Sequence, residues 1–278
     1  MASAVDSVER IQVFRKLHES GCFVMPNPWD IGSARLLAGM GFRALATTSA
    51  GMAWSLGHAD TQVPLADVLN HLRAMSAAVD LPFNADFEKG FAVDPDGVAK
   101  NVAAAAGTGI AGLSIEDSTG DSARPIFEFE LAVDRIRAAR RAIDASRRAI
   151  VLTGRSEGFL VGRTDLRETI RRLTAYAEAG ADCLYAPGLR SAADIAEIVK
   201  AVAPRPVNVL ASSDFTTVAE LASLGVRRIS VGGALARAAW GGFFEAAKEI
   251  AEQGTFIGLS RAAPSTALNG PLGSESKS

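Results

Sequence analysis

Two short apolar runs in this chain end in carboxylates. Residues 82–91 read PFNADFEKGF and bring Asp86 and Glu88 to the end of a strand-like run. Residues 112–118 read GLSIEDS and do the same with Glu116 and Asp117. An acid at the end of a buried strand is costly unless something pairs with it. Neither strand carries a Lys or Arg of its own, so the two side by side ask for a cation.

Other polar residues follow comparable runs: Asn27 and Asp30, then Thr47, Thr48, Ser49 and Asp60, then Arg155 and Glu157, then Asn208 and Ser212. Several carboxylates with no sulfur ligand and no pair of histidines suit a hard cation held through oxygen and water. That means Mg²⁺ or Mn²⁺ rather than Zn²⁺. Arg155 can take a carboxylate or phosphonate with two parallel hydrogen bonds. A metal and an arginine facing a small dianion is the chemistry of 2-oxo acids and their enolates, the metal stabilising charge on the enolate oxygen. Blander readings stand beside these. Asp60 could be a turn residue, Asp117 a cap on a backbone amide, and Arg155 a counter-charge for Glu157. His58 reads as a solvated loop histidine, and Trp29 and Trp54 as packing at the strand ends.

The elements that must position these groups alternate. A helix over 6–19 precedes strands at 22–26, 43–49, 83–86, 112–115, 149–153, 182–186, 207–211 and 228–232. Helices are predicted behind them at 31–40, 64–79, 95–106, 128–145, 166–179, 192–202, 216–224 and 234–253, with a long loop over 50–63. Asp94-Pro95 enters its helix in the favoured cap-then-proline order. Near-continuous apolar strands alternating with amphipathic helices imply a parallel sheet covered by helices. Eight such units in about 250 residues favour a closed (β/α)₈ TIM barrel over an open sheet. No GxGxxG or GxxxxGK[ST] follows the first strand, against an open nucleotide-binding fold. The expected organisation is one barrel domain over 1–259 and a flexible tail over 260–278, rich in Ser, Gly, Ala and Pro.

Composition adds limits. The 278 residues are 48% apolar and 22% charged with a formal net charge of −2. There is no basic surplus for nucleic acid and no charged tail. Cys22 and Cys183 lie far apart in apolar runs and read as buried free thiols. The N-terminus lacks the basic and apolar regions of a signal peptide, and no apolar run is long enough to span a membrane. A cytoplasmic protein is expected.

In order along the chain, the segments NPWD (27–30), TSAG (48–51), SLGHAD (55–60), ADFEKG (85–90), GLSIED (112–117), Gly154-Arg155, GADCLYAPG (180–188), PVNVL (206–210) and RISVGGAL (228–235) resemble the isocitrate lyase/phosphoenolpyruvate mutase superfamily. The resemblance covers about residues 20–240. It implies a barrel with Mg²⁺ at the strand ends, in a homotetramer or dimer whose last helix packs on a neighbouring subunit. It implies that Asp86 contacts the metal directly and that Asp60, Glu88 and Glu116 hold it mainly through water. Thr47, Thr48 and Ser49 would bind the substrate carboxylate, Arg155 its other anionic or oxo end, and Asn208 would lie in the substrate pocket.

One departure limits the reading. Lyases of this superfamily carry a Lys-Lys/Arg-Cys-Gly-His loop after the fourth strand, and its cysteine is the catalytic acid/base. Here residues 118–127 read STGDSARPIF, with no Cys, His or Lys. The Lys and Asn on which the mutase and phosphonopyruvate hydrolase depend are missing as well. Arg124 is the loop's one cation and could close over the substrate. The segment Ala186-Pro187-Gly188 stands where the lyases place a glutamate. Arg155, Asp60 and Arg124 are thus the candidate catalytic residues. The activity expected is Mg²⁺-dependent carbon–carbon cleavage of a small 2-oxo diacid, with oxaloacetate decarboxylation first. The alternatives are phosphorus–carbon chemistry, 2-methylisocitrate lyase-like cleavage, and a ligand-binding barrel without turnover.

Overall fold

In the computed structural model, which describes residues 4–273, eight short parallel strands stand in the order β1-β8-β7-β6-β5-β4-β3-β2. They are β1 (Phe23–Met25), β2 (Leu45–Ala46), β3 (Phe83–Asp86), β4 (Gly112–Glu116), β5 (Val151–Arg155), β6 (Cys183–Tyr185), β7 (Val207–Leu210) and β8 (Arg228–Ser230). The Ala46 amide donates to the Pro26 carbonyl at 3.0 Å and draws the β1 and β2 edges together. This is the expected (β/α)₈ barrel.

Helix α1 (Ala4–Leu17) precedes β1, and α2 (Ile31–Gly39) follows it. After β2 come two helices, α3 (Ser49–Ser55) and α4 (Leu65–Ala78). One helix then follows each strand: α5 (Pro95–Ala106), α6 (Phe129–Ala145), α7 (Leu166–Glu178), α8 (Ala192–Val202), α9 (Val218–Ser223) and α10 (Ala234–Gln253). Alternation along each strand sends Ala85, Leu113, Ile115, Leu152, Val209 and Ile229 into the apolar layer under the helices. The opposite faces carry buried polar residues into the barrel: Asn84, Ser114, Thr153, Asn208, Arg228 and Ser230.

Helix α1 closes the N-terminal end. Phe14 is fully buried there, stacked edge to face on His18 at 4.7 Å and on Phe23 at 6.3 Å. Gly112 makes room for it, since a Cβ at that position would stand 2.6 Å from the Phe14 ring.

Two expectations need correction. The second strand is shorter than 43–49, because the Thr48 hydroxyl caps α3 through the Gly51 amide and the chain turns helical at Ser49. Gly51 fits only as glycine: a Cβ would lie 2.7 Å from Thr48 Cγ2 and 2.8 Å from Trp29 Cβ. The tail from Ser260 also holds regular structure, a 3₁₀ turn at Ile257–Arg261 and a helix α11 at Ser265–Gly273. Helix α11 sets Pro271 against Gly39 of α2. Residues 274–278 lie outside the described residues.

Candidate active site

The strand ends surround a cavity of about 180 Å³ whose wall includes Thr47, Thr48, Ser49, Asp60, Asp86 and Arg155. Each is held by a local device. Ser49 donates to Asp86 Oδ2 from both its amide and its hydroxyl, at 3.0 Å each. The Asp86 amide donates to Thr47 Oγ1 at 2.9 Å. Asn27 ties the end of β1 to the ends of β2 and β8: its side-chain amide donates to the Thr47 carbonyl, and its Oδ1 accepts from the amides of Val231 and Gly232, all at 2.9 Å.

Arg155 sits among the acids. Its Nη1 stands 3.2 Å from Asp86 Oδ1 and 3.2 Å from Glu116 Oε2, and its Nε is hydrogen-bonded to Glu157 Oε1. The guanidinium carbon lies 5.2 Å from the centre of the Tyr185 ring. Burial opposes its charge, but Glu157, Glu116 and Asp86 outweigh that and hold it above the ordinary arginine range. Both readings of Arg155 therefore coexist, since the group that neutralises Glu157 also faces the cavity.

One guanidinium does not balance the acids around it. Burial, with Asp86 and Asp60 beside it, pushes Glu88 up to about 7. None of the described residues donates a hydrogen bond to its carboxylate, and its backbone is left-handed at φ +47°. Burial also raises Glu116 well above the usual carboxylate range, against the opposing pull of Arg155. Glu157 is raised by burial despite the same arginine. Asp60, at the outer edge of the cavity, is raised by partial desolvation and by Asp86. It also keeps its turn role, accepting from the Thr61 amide at 2.9 Å.

This donor set fits a hard divalent cation. The donors are all oxygen, they carry more negative charge than Arg155 offsets, and their raised proton affinities express that excess. Among the described residues, no three acids stand close enough together to ligate one ion by themselves. The set therefore suits an ion that keeps much of its water, as Mg²⁺ does.

The remaining acids and the distinctive loop are structural. Asp117 accepts from the Glu157 amide at 2.7 Å and from the Tyr176 hydroxyl at 2.7 Å, and pairs with Arg172 at 3.3 Å. Asp30 caps α2. Residues 118–126 form a small hairpin, with a bridge between Ser118 and Ile126. Lys89 Nζ holds the Thr119 carbonyl at 2.7 Å, and Arg172 holds the Phe127 carbonyl at 3.0 Å. Arg124 points away from the cavity, its side chain 87% exposed and 3.9 Å from Asp121. The structure thus brings Asp60, Asp86 and Arg155 together on the wall, leaves Glu88 and Glu116 outside the lining, and does not bring Arg124 to the site.

Sequence reasoning passed over Tyr185, Ser230 and Arg228, which line the same cavity. The signal was present as one polar residue at an inward position of each of several strands.

The family model described as phosphoenolpyruvate phosphomutase matches residues 14–251. The chain belongs to that family. A crystal structure from Burkholderia cenocepacia J2315, provisionally assigned as a lyase/mutase, is 46% identical, with a TM-score of 0.93 over 97% of this chain and 98% of the other. The uncharacterised protein Rv1998c of Mycobacterium tuberculosis H37Rv is 34% identical over 221 residues, 79% of this chain and 81% of its own length. An oxaloacetate decarboxylase of Bradyrhizobium diazoefficiens is 29% identical over 194 residues, 67% of this chain and 65% of its own. This phosphomutase-family barrel thus has relatives named for cleaving a carbon–carbon bond, within a family named for moving phosphorus. No helix among its described residues is long and apolar enough to cross a membrane.

Proposed function

We propose that the protein is a Mg²⁺-dependent lyase that generates an enolate from a small 2-oxo diacid, with oxaloacetate decarboxylation the reaction the site supports best. The observation that carries this is the placement of Arg155 on the cavity wall inside an acid cluster that it cannot neutralise alone. Asp86 would hold the ion directly, with Asp60, Glu88 and Glu116 around it. When bound, the cation withdraws electrons from the 2-oxo group and stabilises the enolate oxygen.

The chain's own groups supply binding and orientation. The Thr47 and Thr48 hydroxyls, which accept from the Asp86 and Gly51 amides, keep their own protons for the substrate's 2-oxo-acid end. Arg155, held by Glu157 and Glu116, offers a fixed guanidinium beside it. In decarboxylation the bond between C3 and the C4 carboxylate breaks and CO₂ leaves. The bonding pair moves into the C2–C3 bond as the carbonyl becomes an enolate. A proton from water then completes pyruvate at C3. None of these steps calls for the thiol that residues 118–127 lack, whereas isocitrate-type cleavage does.

Pyruvate release from oxaloacetate by the purified protein with Mg²⁺ should exceed the metal-only background. No enhancement, or the same rate in Asp86→Ala, would sink the proposal. Phosphorus–carbon chemistry is the competing outcome, and ³¹P NMR with phosphonopyruvate detects it.

The assembly we infer is a homotetramer or dimer in which α10 and the segment after it pack on a neighbour. Phe243, Phe244, Phe256 and Ile257 are all exposed in the single chain. Light scattering that gives a monomer mass would exclude this. The inferred setting is cytoplasmic, and fractionation of cells expressing the protein would test it.

A further inference from the structure

The cavity does not end at the metal-holding acids. Its wall continues into the barrel past Asn84, Ser114, Asn208 and Ser230 to Arg228. Arg228 opens β8 and is 1% exposed. Backbone pairing runs from Arg155 to Tyr185, from Tyr185 to Asn208, and from Asn208 to Arg228. Strand spacing and barrel tilt carry that line roughly 8 Å down the barrel from Arg155.

Among the described residues no acid pairs with the buried cation Arg228. Its Nε donates to Asn208 Oδ1 at 2.8 Å, its Nη2 donates to Thr153 Oγ1 at 3.0 Å, and its Nη1 lies 3.4 Å from His18 Nε2. All three partners are neutral groups. His18 Nδ1 is 2.8 Å from the Phe14 carbonyl, which assigns the ring proton to Nδ1 and leaves Nε2 as an acceptor. These contacts take one N–H from each guanidinium nitrogen, and the second hydrogen on each Nη finds no partner among the described residues. A buried guanidinium held rigidly by neutral groups and bordering a cavity lacks its counter-charge, and the cavity is where one can enter.

We propose that Arg228 forms the floor of a second anion subsite, so that the cavity takes a ligand charged at both ends. Its 2-oxo or 2-hydroxy acid head would sit at the Asp86–Arg155 rim, and its second carboxylate would pair with Arg228. Asn208 is then a positioning residue: its Oδ1 fixes the guanidinium, and its amide nitrogen donates to Ser230 Oγ at 2.9 Å. The inference rests on the diacid reading of the proposed function and adds the residue that takes the second carboxylate.

The test is equilibrium binding by calorimetry with Mg²⁺ present. Malate and lactate share the 2-hydroxy acid head and differ in the second carboxylate. Wild type should bind malate at least about tenfold more tightly than lactate. Arg228→Met should bring malate down to the level of lactate and leave lactate unchanged. Arg228→Lys keeps a charge but loses the fork that Asn208 and Thr153 hold, so its preference for malate should fall several-fold. It serves as the deciding variant if the methionine protein does not fold. An unchanged malate-to-lactate ratio in either folded variant, or no preference in wild type, overturns the proposal. Loss of oxaloacetate turnover with the malate preference intact would instead count against the decarboxylase reading alone.

Discussion

Ser49 grips one oxygen of Asp86 twice, from its amide and from its hydroxyl, at 3.0 Å each. The first residue of α3 thereby fixes the orientation of the carboxylate at the end of β3. The other oxygen faces Arg155 at 3.2 Å.

Removing the hydroxyl half of that grip should loosen the proposed metal site without emptying it. Ser49→Ala is expected to weaken Mg²⁺ binding by roughly 10-fold, within the range usual for groups that orient a metal ligand. Asp86→Ala should abolish binding. Mg²⁺ titration followed by thermal unfolding reads both, because a ligand that binds only the folded state raises its melting temperature. Equal Mg²⁺ affinity in wild type and Ser49→Ala would refute the role given to Ser49.

Arg155→Met should be among the most destabilising single changes at the cavity. It strands Glu116 and Glu157, both raised by burial even with the arginine in place. Breaking a buried ion pair from one side costs about 3–5 kcal/mol. Urea unfolding without metal should show that loss, and saturating Mg²⁺ should recover part of it. A variant as stable as wild type would mean that the acids are already protonated in the folded protein.

His71 gives a pH signature of definite sign. His71, its Nε2 buried without a partner, is lowered by burial from 6.5 to about 4. Between those values the unfolded chain binds a proton at His71 that the folded chain does not, so folding stability from this group falls as pH drops. The slope approaches about 1.4 kcal/mol per pH unit. Glu88, raised to about 7, works the other way, gaining its proton first in the folded state. The difference between wild type and His71→Gln isolates the histidine. Wild type should lose ground to the variant as pH falls from 6.5 toward 4, and keep a constant difference above 7. Parallel stability curves across that range would rule this out.

Gly51→Ala should cost about 1–3 kcal/mol, the usual range for forcing a methyl into filled space. The added carbon would meet Thr48 and Trp29 at under 3 Å. Because Thr48 caps α3 and Ser49 opens it, the same change should also weaken Mg²⁺ binding. Chemical denaturation and metal titration on one protein sample separate the two effects.

The barrel was legible in the sequence because its periodicity is global: apolar strand-length runs alternate with amphipathic helices along the whole chain. The acids were legible because charge at the end of such a run has few explanations. What escaped was local competition. Thr48 can extend a strand or cap a helix, and only the room Gly51 leaves beside Trp29 decides between them. Arg124 looked like a site cation because the loop offers no other. In space that loop is a hairpin pinned by Lys89 and Arg172, which leaves Arg124 facing water. Arg228 was hidden for a different reason. Its meaning depends on Asn208, Thr153 and His18 meeting it from three other elements, and no short motif encodes that meeting.

The plug formed by Phe14, Phe23 and His18 also governs traffic. With Phe14 and His18 packed across the far end of the barrel, the proposed floor at Arg228 is approached from the strand-end mouth. A molecule that reaches the floor must come back past the acids and Arg155, and fragments cut from it must leave by the same door. In the proposed decarboxylation the piece freed at the floor is CO₂, which has no charge left for Arg228 to hold and must pass the enolate above it to leave.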